Sequence, residues 1–236
     1  MKRNIVLFGA PGVGKGSYGK LMKKAFDWPT FSMGDYFRKV INASDESQGE
    51  DPFVTELRNT LRKGHFVDDV TAINVIKNAR NHEFKEVKVM LLDGMPRTVA
   101  QAKLLPEHNI NIDLVFNFYN TDSILVEKLM GRRVCPNCNR NYNVADIDRD
   151  GYKMKPLLPK NNSHNCDDCP TVHLVVRDDD KENIIRERLQ IYKNKTEPIL
   201  DFYKANNTKV IDFEAKKGID DFPELKEILA AHTKHF

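Results

Sequence analysis

The residues with the most explicit chemistry stand close to the start of the chain. Gly9-Ala10-Pro11-Gly12-Val13-Gly14-Lys15-Gly16-Ser17 fits the pattern G-x-x-x-x-G-K. Glycines let successive backbone N–H groups turn inward around phosphate oxygens. The N-terminus of a following helix adds the positive end of its dipole, and Lys15 adds a mobile full charge. In the common form of this loop a hydroxyl residue directly follows the lysine and ligates magnesium; here Gly16 intervenes and Ser17 comes one position later. A second group is formed by the four cysteines, which make two Cys-x-x-Cys pairs, Cys135/Cys138 and Cys166/Cys169. Two pairs at this spacing can wrap a tetrahedral zinc ion, and four thiolates leave no open position, so such an ion would be structural. Neither pair opens a helix after a strand, which is where a redox dithiol sits. One further stretch, Asp146-Ile-Asp-Arg-Asp-Gly151, begins like a calcium-binding loop, but its twelfth position is Leu157 where a bidentate Glu is needed. It reads as a polar turn.

Elements that could position these groups follow from the apolar pattern. Ile5-Val6-Leu7-Phe8 is a continuous apolar run ending at Gly9, the mark of a strand buried on both faces of a parallel sheet. Val89 to Leu92 and Leu114 to Phe116 repeat it, and Lys209 to Phe213 is read as a last strand. Between them the spacing predicts helices over Ser17 to Phe26, Phe53 to Lys63 with Gly64 as the stop, Asp68 to Asn81, and Ser123 to Met130 capped by Thr121-Asp122 and ended by Gly131. A long helix is predicted from about Asp180, with Ile184, Ile185, Leu189 and Tyr192 on one side, before Pro198 interrupts it. Alternating buried strands and helices predict an α/β fold with a central parallel sheet. Asn42 to Asp51 and Cys135 to Arg177 break the rhythm; the second reads as a loop-like inserted subdomain carrying both cysteine pairs.

Composition sets outer bounds. With 236 residues, 40% of them hydrophobic and 30% charged, such a chain buries roughly 70–75% of its unfolded surface. A formal charge of +3 with acids and bases interspersed is too small for a surface that coats nucleic acid, so no nucleic-acid partner is expected. No apolar run approaches the roughly 18 residues of a bilayer span. Lys2-Arg3 leads straight into the first strand, so the expectation is a soluble, cytoplasmic protein with no membrane partner. The sequon Asn161-Asn162-Ser163 reads as chance without a secretory signal.

Five blocks in order resemble the adenylate kinase family and span nearly the whole chain. The first is the glycine-rich loop with its displaced hydroxyl residue. Ser32-Met-Gly-Asp-Tyr-Phe-Arg38 is similar to the family's S-T-G-D-x-x-R, Leu92-Asp-Gly-Met-Pro-Arg-Thr98 to D-G-F-P-R-T, Gly131-Arg-Arg-Val134 to the G-R-R-x that opens the lid, and Arg177-Asp-Asp-Asp180 to the R-x-D-D that closes it. The resemblance implies a P-loop kinase with a central parallel β-sheet flanked by helices, a helical insertion that binds the monophosphate, and a zinc-ribbon-like lid. Residues 1–31, 82–131 and 178–236 would form the core, 32–81 the monophosphate-binding subdomain and 132–177 the lid.

The implied activity is reversible phosphoryl transfer from MgATP to AMP. Arg38 and Arg97 would hold the acceptor phosphate, while Arg132, Arg177 and Arg188 would close over the transferring group with Lys15. Asp93 would hold magnesium-bound water. Gly12, Val13, Gly14, Gly16, Ser17 and Lys128 would complete the donor site, and Met33, Val67, Gly94 and Gln101 the acceptor site, with Gln101 reading the base. A guanidinium grips two phosphate oxygens at once, which makes arginine the chemically sensible clamp. Zinc would occupy Cys135, Cys138, Cys166 and Cys169, and a monomer is implied.

Several residues depart from the family pattern. Met33 replaces a small residue and Met95 an aromatic one, His65 stands where lysine is frequent, and Lys128 replaces an arginine that stacks on the donor base. About six extra residues near Ser44 to Asp51 enlarge the acceptor side. The departures leave GTP:AMP phosphotransfer, or another nucleoside monophosphate as acceptor, as the alternative. From a different class, a zinc-binding scaffold that senses nucleotide with little turnover is the competing reading.

Overall fold

A computed structural model describes residues 2–43, 51–160 and 164–236. The sequon and nearly all of the extra acceptor-side segment lie outside these residues. In chain order the elements are β1 (Arg3–Gly9), α1 (Lys15–Phe26), β2 (Thr30–Ser32), α2 (Met33–Ala43), α3 (Pro52–Arg62), α4 (Asp69–Asn81), β3 (Val89–Asp93), α5 (Val99–Glu107), β4 (Leu114–Tyr119) and α6 (Asp122–Met130). There follow β5 (Arg132–Val134), β6 (Asn141–Asn143), β7 (Ile147–Arg149), β8 (Tyr152–Met154), α7 (Glu182–Ile191), α8 (Ile199–Ala205), β9 (Lys209–Glu214) and α9 (Phe222–His232).

Five strands form one parallel sheet in the order β2-β3-β1-β4-β9. The unbroken apolar run of β1 is explained by burial on both faces. Ile5 and Leu7 join Tyr18, Met22, Phe116, Phe118, Ile185 and Leu225 on one side. Val6 and Phe8 join Ile73, Ile76, Leu92, Leu105 and Ile199 on the other. Both faces are covered by helices, as an all-parallel sheet requires. The carboxyl ends of β1, β3 and β4 therefore open at one edge, where ligands of such folds bind.

Four helices, α2, α5, α8 and α9, were not expected from the sequence. In α2, Met33 and Phe37 are buried, with Val40 and Ile41 packed beside them. That i, i+4, i+7, i+8 spacing is legible once the Ser32 to Arg38 stretch is read as structure as well as motif. α5 carries Pro106 one residue from its end, where its missing N–H costs the helix a single bond in the last turn, and α9 opens with Phe222-Pro223, a favoured first-turn proline. The predicted cap of α6 is corrected in one respect. Thr121 is the N-cap residue, but its hydroxyl meets Ser123 Oγ at 3.3 Å and no backbone N–H. The long helix ends at Ile191 and passes through a π-type turn, Tyr192–Thr196, before Pro198.

The segment 135–177, expected to be loop-like, contains strands. β5 pairs antiparallel with β6, Val134 bridges to Val175, and β7 pairs with β8 as a hairpin. Asp150 and Gly151 turn that hairpin with φ of 54° and 80°. Asp-Gly with both φ values positive is the two-residue turn whose twist matches its strands, so the apparent calcium loop is a hairpin. Its apolar residues Ile147, Tyr152 and Met154 enclose Ile124 of α6. Tyr152 Oη donates to Glu214 Oε1 at 2.8 Å, the Lys153 N–H to Lys216 O at 2.8 Å, and Arg149 Nη2 to Glu127 Oε2 at 2.8 Å.

Gly9 shows how tightly the sheet edge meets the loop. A Cβ there would lie 2.2 Å from the Phe118 carbonyl oxygen, and φ is 134°. Both faults act on Gly9→Ala, which is expected to lose about 2 kcal/mol or more of stability. Thermal unfolding should then shift down by roughly 4–8 °C for a chain of this size, and an unchanged melting temperature would contradict the contact.

Candidate active site

Lys15 begins α1 immediately after the glycine loop, so the helix dipole and the ammonium group serve one concavity. Gly12 and Gly14 take φ of 88° and 112°, which turns the backbone N–H groups inward. Lys15 Nζ folds back over the loop and donates to Gly9 O at 2.7 Å and Ala10 O at 3.0 Å. Burial lowers its pKa to about 8; Asp93 opposes the shift, and Arg97, Arg188 and Arg132 add to it. Asp93, at the end of β3, is itself pushed up by burial and held back chiefly by Lys15. Gly16 lies between Asn141 and Asp93 with room on both sides. A Cβ there would lie 3.8 Å from Asn141 Nδ2 and 3.9 Å from Asp93 Oδ2.

The five arginines singled out in the sequence come from five separate segments and converge on one cleft of about 890 Å³ that the loop also lines. Arg38 Nη2 donates to Asp35 Oδ1 at 2.7 Å, one turn back on α2. Arg97 Nε donates to Gly94 O at 3.0 Å, and the Phe66 ring lies 5.1 Å from its guanidinium carbon. Arg132 makes a two-pronged bond to Asp180, with Nε to Oδ2 at 2.8 Å. Arg188 bonds Asp179 Oδ2 at 2.7 Å and lies 3.6 Å from Asp180 Oδ1. Arg177 Nη2 reaches Asn141 Oδ1 at 3.4 Å and Asp35 Oδ1 at 3.9 Å.

These groups crowd one another. Burial first, then the neighbouring guanidiniums, lowers Arg97 to about 10 and Arg177 to about 9, and Arg188 moves the same way. Asp35 and Asp179 are shifted the opposite way for a carboxylate: burial would raise them, and the arginines outweigh it and hold them down. Arg38 Nε and Arg177 Nε are buried and have no hydrogen-bond partner. Buried donors are rarely left unmatched, so the cage has guanidinium hydrogens to spare for an anion. Asp35 and Asn141 were not singled out in the sequence. Asp35 was findable, because Asp and Arg three apart on a helix face each other; Asn141 is brought in only by the β5–β6 pairing.

The residues expected at the acceptor end lie together. Met33, Val67, Gly94, Arg97 and Gln101 line one recess with Phe37, Leu61, Phe66, Ala72 and Met95. Lys128, expected at the donor end, donates from Nζ to Val13 O at 3.1 Å and Asn120 Oδ1 at 3.4 Å, so it braces the back of the loop. Burial lowers Lys128 to about 8. Ile147, Met154 and Ile219 also line the cleft.

In the lid, the sulfur atoms of Cys135, Cys138, Cys166 and Cys169 all lie within 4.8 Å of one another, and Cys138 Sγ is 3.5 Å from Cys166 Sγ. A tetrahedral ion with 2.3 Å metal–sulfur bonds spaces its sulfurs by about 3.8 Å, so the four could hold a metal ion. Two tight turns prepare them: Asn139 N–H donates to Cys135 O at 3.0 Å and Val172 N–H to Cys169 O at 2.9 Å. Asn137 Nδ2 lies 3.2 Å from Cys169 Sγ, and Arg140 joins the two knuckles through Asp167 and Asp168.

A glycine loop on the central strand of a parallel sheet, with guanidiniums gathered around it, suits chemistry in which charge moves among phosphate oxygens and little covalent work is asked of the protein. The fold and site thus define a P-loop phosphotransferase. The family model "Adenylate kinase" matches residues 7–208, and the chain belongs to that family, whose members are nucleoside-monophosphate kinases. It is 37% identical to a "GTP:AMP phosphotransferase" of Plasmodium falciparum (isolate 3D7), covering 98% of this chain and 97% of that one. It is 36% identical to an "Adenylate kinase" of Solanum tuberosum, over 95% of this chain and 75% of the relative, and 34% identical to an "Adenylate kinase" of Thermotoga neapolitana, over 94% of each. Among the described residues no helix is long and apolar enough to cross a membrane.

Two lysines with lowered pKa values flank the loop, and each loses its charge as pH rises through about 8. kcat/KM for the donor nucleotide reports the free enzyme, so it should be flat below this value and decline above it. kcat should decline at higher pH only, because a bound polyphosphate favours the protonated amines. A kcat/KM that holds level from pH 7 to 10 would contradict the assignment.

Proposed function

We propose that the chain carries out reversible phosphoryl transfer from MgATP to AMP, giving two ADP. The single observation that supports this most is the convergence of Arg38, Arg97, Arg132, Arg177 and Arg188 with Lys15 on the glycine loop. On this reading residues 1–31, 82–131 and 178–236 act as the core, 32–81 as the acceptor-binding subdomain and 132–177 as the lid. Arg38 and Arg97 grip the acceptor phosphate, and the unpartnered Nε of Arg38 is the hydrogen available for it. Lys15, Arg132, Arg177 and Arg188 bear on the oxygens of the transferred group, where charge spreads in the transition state. Asp179 and Asp180 hold two of these arginines in place beforehand, so little reorganisation is left for the reaction itself. Gly12, Val13, Gly14, Gly16, Ser17 and Lys128 form the donor site; Met33, Val67, Gly94 and Gln101 form the acceptor site, with Gln101 at the base. Asp93 would hold the water shell of a magnesium ion arriving with the donor, and that ion would neutralise charge on the donor phosphates.

A second reading has GTP as the donor, and Lys128 favours it. Two of its three ammonium hydrogens go to Val13 and Asn120. The third suits a 6-oxo group better than a 6-amino group, whereas a lysine stacks less well than a planar guanidinium. A coupled assay over ATP, GTP, AMP and pyrimidine monophosphates decides between the readings. Turnover with AMP is expected, and Lys15→Met should lower kcat by roughly 100-fold or more with the fold intact by circular dichroism. Activity confined to another acceptor would overturn the AMP assignment, and an unimpaired Lys15→Met enzyme would overturn the mechanism.

The four thiolates of the lid hold zinc on this reading, and the ion stiffens the segment that carries Arg132 and Arg177. Elemental analysis should return one zinc per chain, and its removal should lower the melting temperature. Metal-free protein of undiminished stability would remove zinc from the scheme.

A further inference from the structure

Asp68 and Asp69 both stand at the start of α4, but they do different work. Asp68 is the N-cap, with Oδ1 accepting the Thr71 N–H at 2.9 Å. Asp69 turns away from its own helix toward α5. Its Oδ1 accepts from Thr98 Oγ1 at 3.1 Å and from Gln101 Nε2 at 2.9 Å. The other end of the Gln101 amide, Oε1, accepts the Arg97 N–H at 2.7 Å. Gln101 is 2% exposed and lines the recess walled by Met33, Phe37 and Val67.

The orientation of this amide is dictated by its partners. A carboxylate accepts and a backbone N–H donates. Thr98 Oγ1 accepts the Gln101 N–H at 3.0 Å, which leaves its own hydrogen for Asp69. Each end of the amide keeps one unused function: a second lone pair on Oε1 and a second hydrogen on Nε2. A 6-aminopurine offers an N6–H donor beside an N1 acceptor, the complement of that pair. A 6-oxopurine offers an O6 acceptor beside an N1–H donor, the reverse. To serve the reverse pattern the amide must flip, which sets Oε1 against the Asp69 carboxylate and the amide nitrogen against the Arg97 N–H. Leaving buried polar groups mismatched in this way is what gives hydrogen-bonding pockets their strongest discrimination.

We infer that Asp69 is a positioning residue that locks the Gln101 amide in one orientation, and so makes the acceptor recess select a 6-aminopurine monophosphate over its 6-oxo counterpart. The inference rests on the proposal that Gln101 faces the acceptor base. Asp69 touches neither the base nor a phosphate, and no step of the phosphoryl transfer uses it.

The experiment compares kcat/KM for AMP and for IMP in the intact enzyme and in Asp69→Ala, Asp69→Asn and Gln101→Ala. Both acceptors are measured on the same protein sample, so the ratio does not depend on how much of it is folded. In Asp69→Ala the AMP:IMP ratio is expected to fall by about tenfold or more, through a higher KM for AMP with kcat little changed. Asp69→Asn keeps a carbonyl oxygen for Thr98 and Gln101, and should recover most of the ratio. A collapsed ratio in Gln101→Ala with an unchanged one in Asp69→Ala would overturn the lock and leave the base contact standing. An unchanged ratio in Gln101→Ala would overturn the base contact, and the lock with it. Equal loss in Asp69→Ala and Asp69→Asn, carried by kcat for both acceptors, would reduce Asp69 to a structural role and also overturn the inference.

Discussion

The structure is organised around the cost of holding like charges together. Arg38, Arg97, Arg132, Arg177, Arg188 and Lys15 share one cleft, and the lowered pKa values of Lys15, Arg97, Arg177 and Arg188 record both burial and mutual repulsion. Asp35, Asp179 and Asp180 offset that repulsion, each by direct bonds to guanidiniums. Asp180 is the extreme case: its side chain is fully enclosed, with Arg132 on both oxygens and Arg188 close by. Removing one partner from such a group leaves a buried charge uncompensated, which is far more damaging than losing a surface pair. The acids are fewer than the cations, so the cleft retains positive potential where a polyphosphate would lie.

The fold exists to bring these groups in from distant parts of the chain. The sheet edge supplies the glycine loop and Asp93, α2 supplies Arg38, the turn after β3 supplies Arg97, the two ends of the segment 132–177 supply Arg132 and Arg177, and α7 supplies Arg188. Gly64 shows the closeness of fit between separate parts, since a Cβ there would come within 2.5 Å of the Arg188 side chain. With φ of 70° the position is also one that a side chain seldom adopts.

Much of this was legible beforehand, and the reasons are physical. β1, β3 and β4 were legible because strands buried on both faces must be apolar throughout. The loop and the arginine blocks were legible because phosphate chemistry restricts residue type as well as spacing. α2 was missed because motif residues were read for chemistry, although Met33, Phe37, Val40 and Ile41 also make a helical stripe. The lid strands were missed because three-residue strands in a polar sequence carry almost no periodicity. Asp150-Gly151 alone announced a hairpin, and its resemblance to a metal loop drew attention elsewhere. Gln101 was recognised as a pocket residue, but its bond to Asp69 joins two helices and leaves no trace in spacing.

The hairpin also bears on mechanics. A rigid body attached at two points can still turn about the line between them, whereas a third attachment away from that line removes the freedom. The segment between Gly131 and Asp180 has two covalent attachments to the rest of the molecule, and the hairpin provides a third through Tyr152, Lys153 and Arg149. Each of these polar contacts is modest by itself, but the hairpin is also docked by Ile147, Tyr152 and Met154 packed on Ile124. Any wide swing of that segment would have to unhook the hairpin first, so the hairpin would act as a brake on it.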